Sequence, residues 1–218
     1  MEILRAVGVK KSYNDLEVLK GIDLCVQKGE LLSVIGESGA GKSTLLHILG
    51  TLDATDAGEI IIGGKAIAGM NAKDLASFRN KEIGFIFQFH NLLPEFSALE
   101  NVCLPGLISN KNENEVFKKG EQLLDRLGLS SRAKHKPSEL SGGEQQRVAV
   151  ARSLINSPSL VFADEPSGNL DSKTAEELHK LFFSLRKEMN QTFVIVTHNK
   201  ILASMTDRRI EIRDGVII

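Results

Sequence analysis

The chain has 218 residues, of which 42% are apolar and 25% charged, ordinary proportions for a soluble protein of one domain or a core with a subdomain. Its net charge of −1 gives no overall attraction to nucleic acid or anionic lipid. Cys25 and Cys103 form neither a C-x-x-C pair nor a disulfide framework, and read as two reduced thiols.

Met1 to Lys11 lacks the apolar core of a signal peptide. No window reaches the roughly 18 apolar residues that cross a bilayer, so in any transport role another chain is expected to supply the membrane path. Ile22, Leu24 and Val26 alternate with polar residues, which predicts a half-buried strand. Leu31 to Ile35 reads as a short buried strand that stops at Gly36, with a helix from Lys42 to about Gly50. The loop between them, Gly36, Glu37, Ser38, Gly39, Ala40, Gly41, Lys42, Ser43 and Thr44, fits the phosphate-binding pattern G-x-x-x-x-G-K-[ST] in the strand-to-helix setting that pattern requires. Its glycines let backbone N–H groups converge on phosphate oxygens, and the helix adds its positive N-terminal end. Lys42 can reach the β- and γ-phosphates of a nucleotide, and the Ser43 hydroxyl can ligate Mg²⁺.

Glu59 to Ile62 followed by Gly63-Gly64 predicts a strand and turn, and Ile83 to Phe87 a further strand. From Phe89 to about Glu139 the character changes. Pro94 and Pro105 punctuate this stretch, Asn110 to Glu115 is polar, and Val116, Gly120, Leu123, Leu124 and Leu127 recur at helical spacing. A mainly helical insert dividing the nucleotide core is expected. Ser141, Gly142 and Gly143 offer a hydroxyl and open amides ahead of a helix from Glu144 to about Asn156, a second anion-binding end.

Leu160 to Ala163 and Phe193 to Val196 have the composition of buried strands. Asp164 and Glu165 follow the first and His198 the second, which places all three at one sheet edge. Asp164 suits a Mg²⁺ shell. Between the strands, Ala175, Leu178, Phe182, Leu185 and Met189 mark an amphipathic helix, with Asp171 as its N-cap. Asp214-Gly215 predicts a closing hairpin between Ile210–Ile212 and Val216–Ile218. His47, His90, His135 and His179 have no metal-ligand spacing and read as ordinary. Strands alternating with helices imply a parallel sheet covered on its faces.

LSGGEQQRV, Leu140 to Val148, between the phosphate loop and LVFADE, Leu160 to Glu165, is the most informative run. On these motifs the chain resembles, over essentially its whole length, an ABC-type ATPase, the nucleotide-binding subunit of a transporter. That resemblance implies an α/β fold: a P-loop NTPase core with a mainly parallel sheet, an N-terminal antiparallel β region and an inserted α-helical subdomain. Residues 1–218 would form one domain, with 1–88 and 157–218 as nucleotide core and 89–156 as helical subdomain. It further implies ATP and Mg²⁺ as ligands. Glu165 would be the base that orients the attacking water, and His198 the switch that contacts the γ-phosphate. Gln88 would sense Mg²⁺ and the γ-phosphate at the hinge with the insert, and Tyr13 would stack on adenine. Asp164 and Ser43 would complete the metal shell. Ser141, Gly142 and Gly143 would close the ATP site of the facing subunit in a head-to-tail homodimer, with Pro166 to Asp171 crossing to the partner.

Phe87 to Val102 (FQFHNLLPEFSALENV) and Gly168-Asn169-Leu170-Asp171 are similar to the lipoprotein-releasing (LolD), MacB and FtsE group, with Ser167 where that group often has Thr. This implies lipoprotein release or macrolide- or peptide-type export through integral membrane permease subunits, at the cytoplasmic face of the inner membrane and without nucleic acid. Two alternatives have their own discriminators. ABC ATPases of DNA or ribosomes fuse two cores or insert long coiled coils, neither of which occurs here. An FtsE-like subunit would gate a membrane partner without moving cargo, and the copurifying membrane protein separates that case. Phe89, Leu92, Leu93, Phe96 and Leu99 form an apolar, proline-broken cluster expected to help dock the permease.

Overall fold

A computed structural model describes residues 1–109 and 111–218; Asn110, at the head of the polar stretch, lies outside the described residues. The N-terminal strands β1 (Glu2–Tyr13) and β2 (Leu16–Gln27) form a long hairpin. Then come β3 (Leu31–Gly36), α1 (Lys42–Leu49), β4 (Ala57–Ile62), β5 (Lys65–Ala66), α2 (Ala72–Glu82) and β6 (Ile83–Ile86). The insert contributes α3 (Ala98–Ile108), α4 (Glu113–Arg126) and two short 3₁₀ turns before α5 (Gly142–Leu154). The chain closes with β7 (Leu160–Asp164), α6 (Ser172–Met189), β8 (Thr192–Val196), α7 (Lys200–Met205), β9 (Arg208–Arg213) and β10 (Val216–Ile217).

Two sheets result: four antiparallel strands in the order β2-β1-β4-β5, and six in the order β10-β9-β3-β8-β7-β6. Within the second, β3, β6, β7, β8 and β9 run parallel and only β10 is antiparallel. Its central strands are buried on both faces, as parallel sheets require. Side chains of a strand alternate sides, and here the alternation sorts them into two cores. Leu160, Phe162, Val194 and Val196 join Leu45, Leu46, Leu49 and the antiparallel sheet. Val161, Ala163, Phe193 and Ile195 join α5, α6 and the insert helices. Removing such a side chain from water stabilises by roughly 1.5–3 kcal/mol, so both layers are held from the same strands.

The anticipated strands are present. Two helices are not legible in the periodicity. α2 buries only Phe78 and is held by its Asn71 cap, which accepts from the Asp74 N–H. α7 is six residues long and rests on Asn199, which accepts from Ile201 and Leu202. α5 starts at Gly142, two residues earlier than expected, because Ser141 is its cap. Pro105 lies inside α3 instead of ending it; its carbonyl is occupied by Asn80 at 3.1 Å and Asn156 at 3.0 Å. Tyr13 ends β1 and pairs with Leu16 at the tip of the hairpin.

α3 begins with a reciprocal capping box, Ser97 with Glu100. Ser97→Ala is expected to lower unfolding stability by about 1 kcal/mol in urea titration, with no change in nucleotide binding.

Candidate functional site

β3 delivers the phosphate loop. At Gly36 φ is 150°, and a Cβ would sit 2.2 Å from the Ile212 carbonyl oxygen of β9, so the strand end tolerates only glycine. Gly41, with φ 100°, caps α1 through its backbone, and the first helical bond runs from Leu45 N–H to Gly41 O at 2.8 Å. The N–H groups of Lys42, Ser43 and Thr44 therefore lack helical acceptors and form the electropositive end of α1. The Lys42 ammonium arches over the loop and donates to the carbonyls of Gly36 at 3.0 Å and Glu37 at 2.7 Å. A cleft of about 540 Å³ opens above it, lined among others by Tyr13, Val18, Ser38, Gly39, Glu165 and His198. Gly36, Gly41, Lys42, Ser43 and Thr44 line it too, whereas Ala40 is buried and Glu37 contributes its carbonyl to Lys42.

The second wall comes from the ends of β7 and β8. The Ser43 hydroxyl donates to Asp164 Oδ1 at 3.1 Å, joining the two motifs that the sequence holds far apart. Burial pushes the Asp164 carboxyl up, against the opposing pull of Ser43, His47 and Lys42. A cation there would reverse that balance, since it favours the ionised form. Among the described residues no three His, Cys, Asp or Glu side chains converge. A hydroxyl and one carboxylate suit Mg²⁺ that takes its remaining ligands from phosphates and water. Glu165 sits at φ 44° with its N–H bonded to Val196 O at 2.9 Å. Its Oε2 lies 2.9 Å from His198 Nδ1 and accepts the His198 N–H at 3.2 Å. Glu165 and His198 thus face the phosphate loop as a bonded pair.

Two expected groups stand apart. Gln88 does not line the cleft: its amide donates to Asn169 Oδ1 at 3.1 Å, and Asn169 returns a bond to Gln88 O at 3.2 Å. Ser141, Gly142 and Gly143 do not line it either. Ser141 is exposed and caps α5 together with Glu144, whose carboxyl is held down at about 2 by the Ser141 N–H and by Arg132. In the docking cluster, Phe89, Leu93 and Phe96 point outward while Leu92 and Leu99 pack against the second core. Fully buried Asn101 pins this segment, accepting from Leu93 N–H and donating to the carbonyls of Leu93, Phe96 and Ser97.

Sequence reading missed several neighbours of the site. His47 reaches within 3.9 Å of Asp164; it lies one helical turn after Ser43, a spacing that could have revealed it. Asn169 is the partner of Gln88, with no signal in local pattern. Lys11 and Asp53 surround Tyr13; the two-residue step from Lys11 to Tyr13 on one strand was the available clue.

The family model described as "ABC transporter" matches residues 19–168. The chain is 62% identical over 217 residues to the "Lipoprotein-releasing system ATP-binding protein LolD" of Cytophaga hutchinsonii, covering 100% of this chain and 99% of that one. It is 58% identical to the LolD of Porphyromonas gingivalis, covering 99% and 98%. Among solved structures it is similar to the dimeric post-hydrolysis state of the ATP-binding cassette MJ0796 bound to ADP and Pi. That match has a TM-score of 0.90 and 38% identity, with 99% and 96% of the two chains covered.

Proposed function

The chain belongs to the ABC transporter family, and from that premise we propose that its ATPase activity drives release of lipoproteins through a separate membrane permease. It is an ATP-hydrolysing subunit that works as a homodimer with membrane permease partners. Among the described residues no helix is long and apolar enough to cross a membrane, and the subunit associates with the membrane system peripherally. We place it at the cytoplasmic face, where ATP is available.

The observation that carries the chemistry is the joining of the phosphate loop to the Asp164–Glu165 turn by the Ser43–Asp164 bond at 3.1 Å. On this reading Lys42 and the α1 amides hold the phosphates, and Glu165 accepts the proton of the attacking water. His198, bonded to Glu165, orients it toward the γ-phosphate. Tyr13 receives the adenine. Ser43 and Asp164 would hold Mg²⁺, which when bound neutralises charge on the β- and γ-phosphates. Gln88 serves the same region after leaving Asn169. Ser141, Gly142 and Gly143 complete the partner's site. The cargo assignment is supported by the names of the full-length relatives.

The permease would dock where core and insert meet. A groove of about 500 Å³ lies there, lined among others by Leu52, Arg79, Phe85, Phe87, Ile108 and Arg152. Exposed Phe89, Leu93 and Phe96 flank Gln88 in sequence, a position that would tie docking to the nucleotide. The test is capture of the tagged subunit with its membrane partner and reconstitution in vesicles bearing an acylated protein. ATP is expected to bring the acylated protein into the soluble fraction when a carrier is present. A complex that hydrolyses ATP yet releases nothing would favour a gating role. Phe89→Glu with Leu93→Glu is expected to abolish release and ATPase stimulation by the permease, while the isolated subunit keeps its ATPase. Normal coupling in that variant would put the docking site elsewhere.

A further inference from the structure

We propose that Asp53 and Lys11 are positioning residues that hold the Tyr13 ring as a one-sided platform for the nucleotide base. The proposal rests on the reading of Tyr13 as the residue that receives the base. Tyr13 stands at the rim of the cleft with 45% of its surface open. An aromatic side chain that exposed samples several rotamers unless something fixes it. Here the fixing group is Asp53.

The Tyr13 hydroxyl donates to Asp53 Oδ2 at 2.5 Å. The other carboxylate oxygen accepts from Lys11 Nζ at 3.1 Å and from the Ala54 N–H at 2.7 Å. Asp53 is therefore held on its far side, and its near oxygen can define where the phenol ends. Lys11 is itself fixed: it is 8% exposed and donates to Ala54 O at 2.7 Å, with Asp56 at 3.6 Å. The bond to Tyr13 lowers the Asp53 carboxyl and raises the Tyr13 hydroxyl, so donor and acceptor keep these roles through neutral pH.

Lys11 Nζ also lies over the Tyr13 ring, 5.1 Å from its centroid. One π face thus meets an ammonium, an attraction that orients the ring. Tyr13 lines the cleft while Lys11 does not, so the base can stack only on the remaining face. The turn that carries Asp53 is attached to α1. The N–H groups of Leu52 and Asp53 donate to His47 O at 2.8 and 3.3 Å. The N-terminal end of α1 cradles phosphate, and its C-terminal end carries the group that aims the base platform. One helix therefore sets the separation between the two ends of the nucleotide site.

The test measures fluorescent ATP-analogue affinity, ATP KM and kcat, and the urea midpoint for Tyr13→Ala, Tyr13→Phe, Asp53→Ala, Asp53→Asn and the Tyr13→Phe/Asp53→Ala double variant. Tyr13→Phe keeps the ring and its packing and removes only the bond to Asp53. It and Asp53→Ala are each expected to raise Kd and KM about three- to tenfold with kcat unchanged. The double variant should be no weaker than the worse single, because both remove one interaction. Asp53→Asn keeps an acceptor and should recover most of the affinity. If Tyr13→Ala binds nucleotide normally, the base reading fails and the proposal fails with it. If Tyr13→Ala weakens binding while Tyr13→Phe and Asp53→Ala do not, or their effects add in full, the base reading stands and the positioning role is overturned. Asp53→Ala that lowers the urea midpoint with KM unmoved also overturns it, leaving Asp53 as a staple between β1 and the turn.

Discussion

Glu165→Gln is expected to lower ATP turnover by about 10²–10⁴-fold while leaving ATP bound. The carboxylate sits at the end of β7, facing the phosphate loop, with Oε2 shared between the Nδ1 and the N–H of His198 at 2.9 and 3.2 Å. Glutamine has the same shape and can accept the same N–H bond, but it cannot take a proton from water. Nothing that holds the phosphates is altered, since Lys42 and the α1 amides remain. Dimers should therefore close on ATP and persist, visible as an ATP-dependent shift in size-exclusion chromatography. Near-normal turnover in single-cycle measurements would remove Glu165 from the role of base.

Mixing two inactive variants should restore activity. Lys42→Ala loses the ammonium that answers the phosphates, and Ser141→Arg blocks the start of α5. Each homodimer then carries two damaged sites. In a mixed dimer, Lys42 of one subunit meets Ser141 of the other, and one complete site returns. Random pairing gives up to roughly a quarter of the wild-type number of sites. Ser141 is exposed and absent from its own subunit's cleft, which leaves it free to meet the facing subunit. Losing the Ser141 cap costs on the order of 1 kcal/mol, so thermal unfolding of the variant provides the control. No recovery, with mixed dimers demonstrated by differential tags, would argue that Ser141 serves its own subunit.

The legible parts of this protein are those where the chemistry is contiguous. The phosphate loop, Asp164 with Glu165, and the capped start of α5 each occupy a few consecutive residues, and their backbone setting can be inferred from the strands before them. β7 and β8 announce themselves because both their faces are buried, which leaves an unbroken apolar run. α2 escapes because it buries one residue and lies on the surface, so no stripe forms. The network behind Tyr13 escapes for another reason. Lys11 and Asp53 meet only after β1 has folded beside the end of α1, and a buried lysine paired with a distant aspartate leaves no local pattern. The engagement of Gln88 with Asn169 joins two loops in the same way. Long-range polar pairs are chosen by topology, which periodicity does not encode.

The sheet order has a consequence for how this protein is made. β3, which ends in the phosphate loop, lies between β8 and β9: Leu31 pairs with Phe193, and Leu32 with Arg208. During synthesis β3 emerges early and then waits for both its neighbours, on the order of ten seconds at roughly 5–20 residues per second. Through that interval a strand of LLSVI composition has only non-native partners, the situation in which edges seek other chains. The antiparallel hairpin of β1 and β2 needs no such delay, since its partners are adjacent in sequence. Assembly on the ribosome therefore falls into an early local stage and a late stage in which the nucleotide site is completed all at once, and a nascent chain stalled before Thr192 should depend on holding factors and retain no ATP.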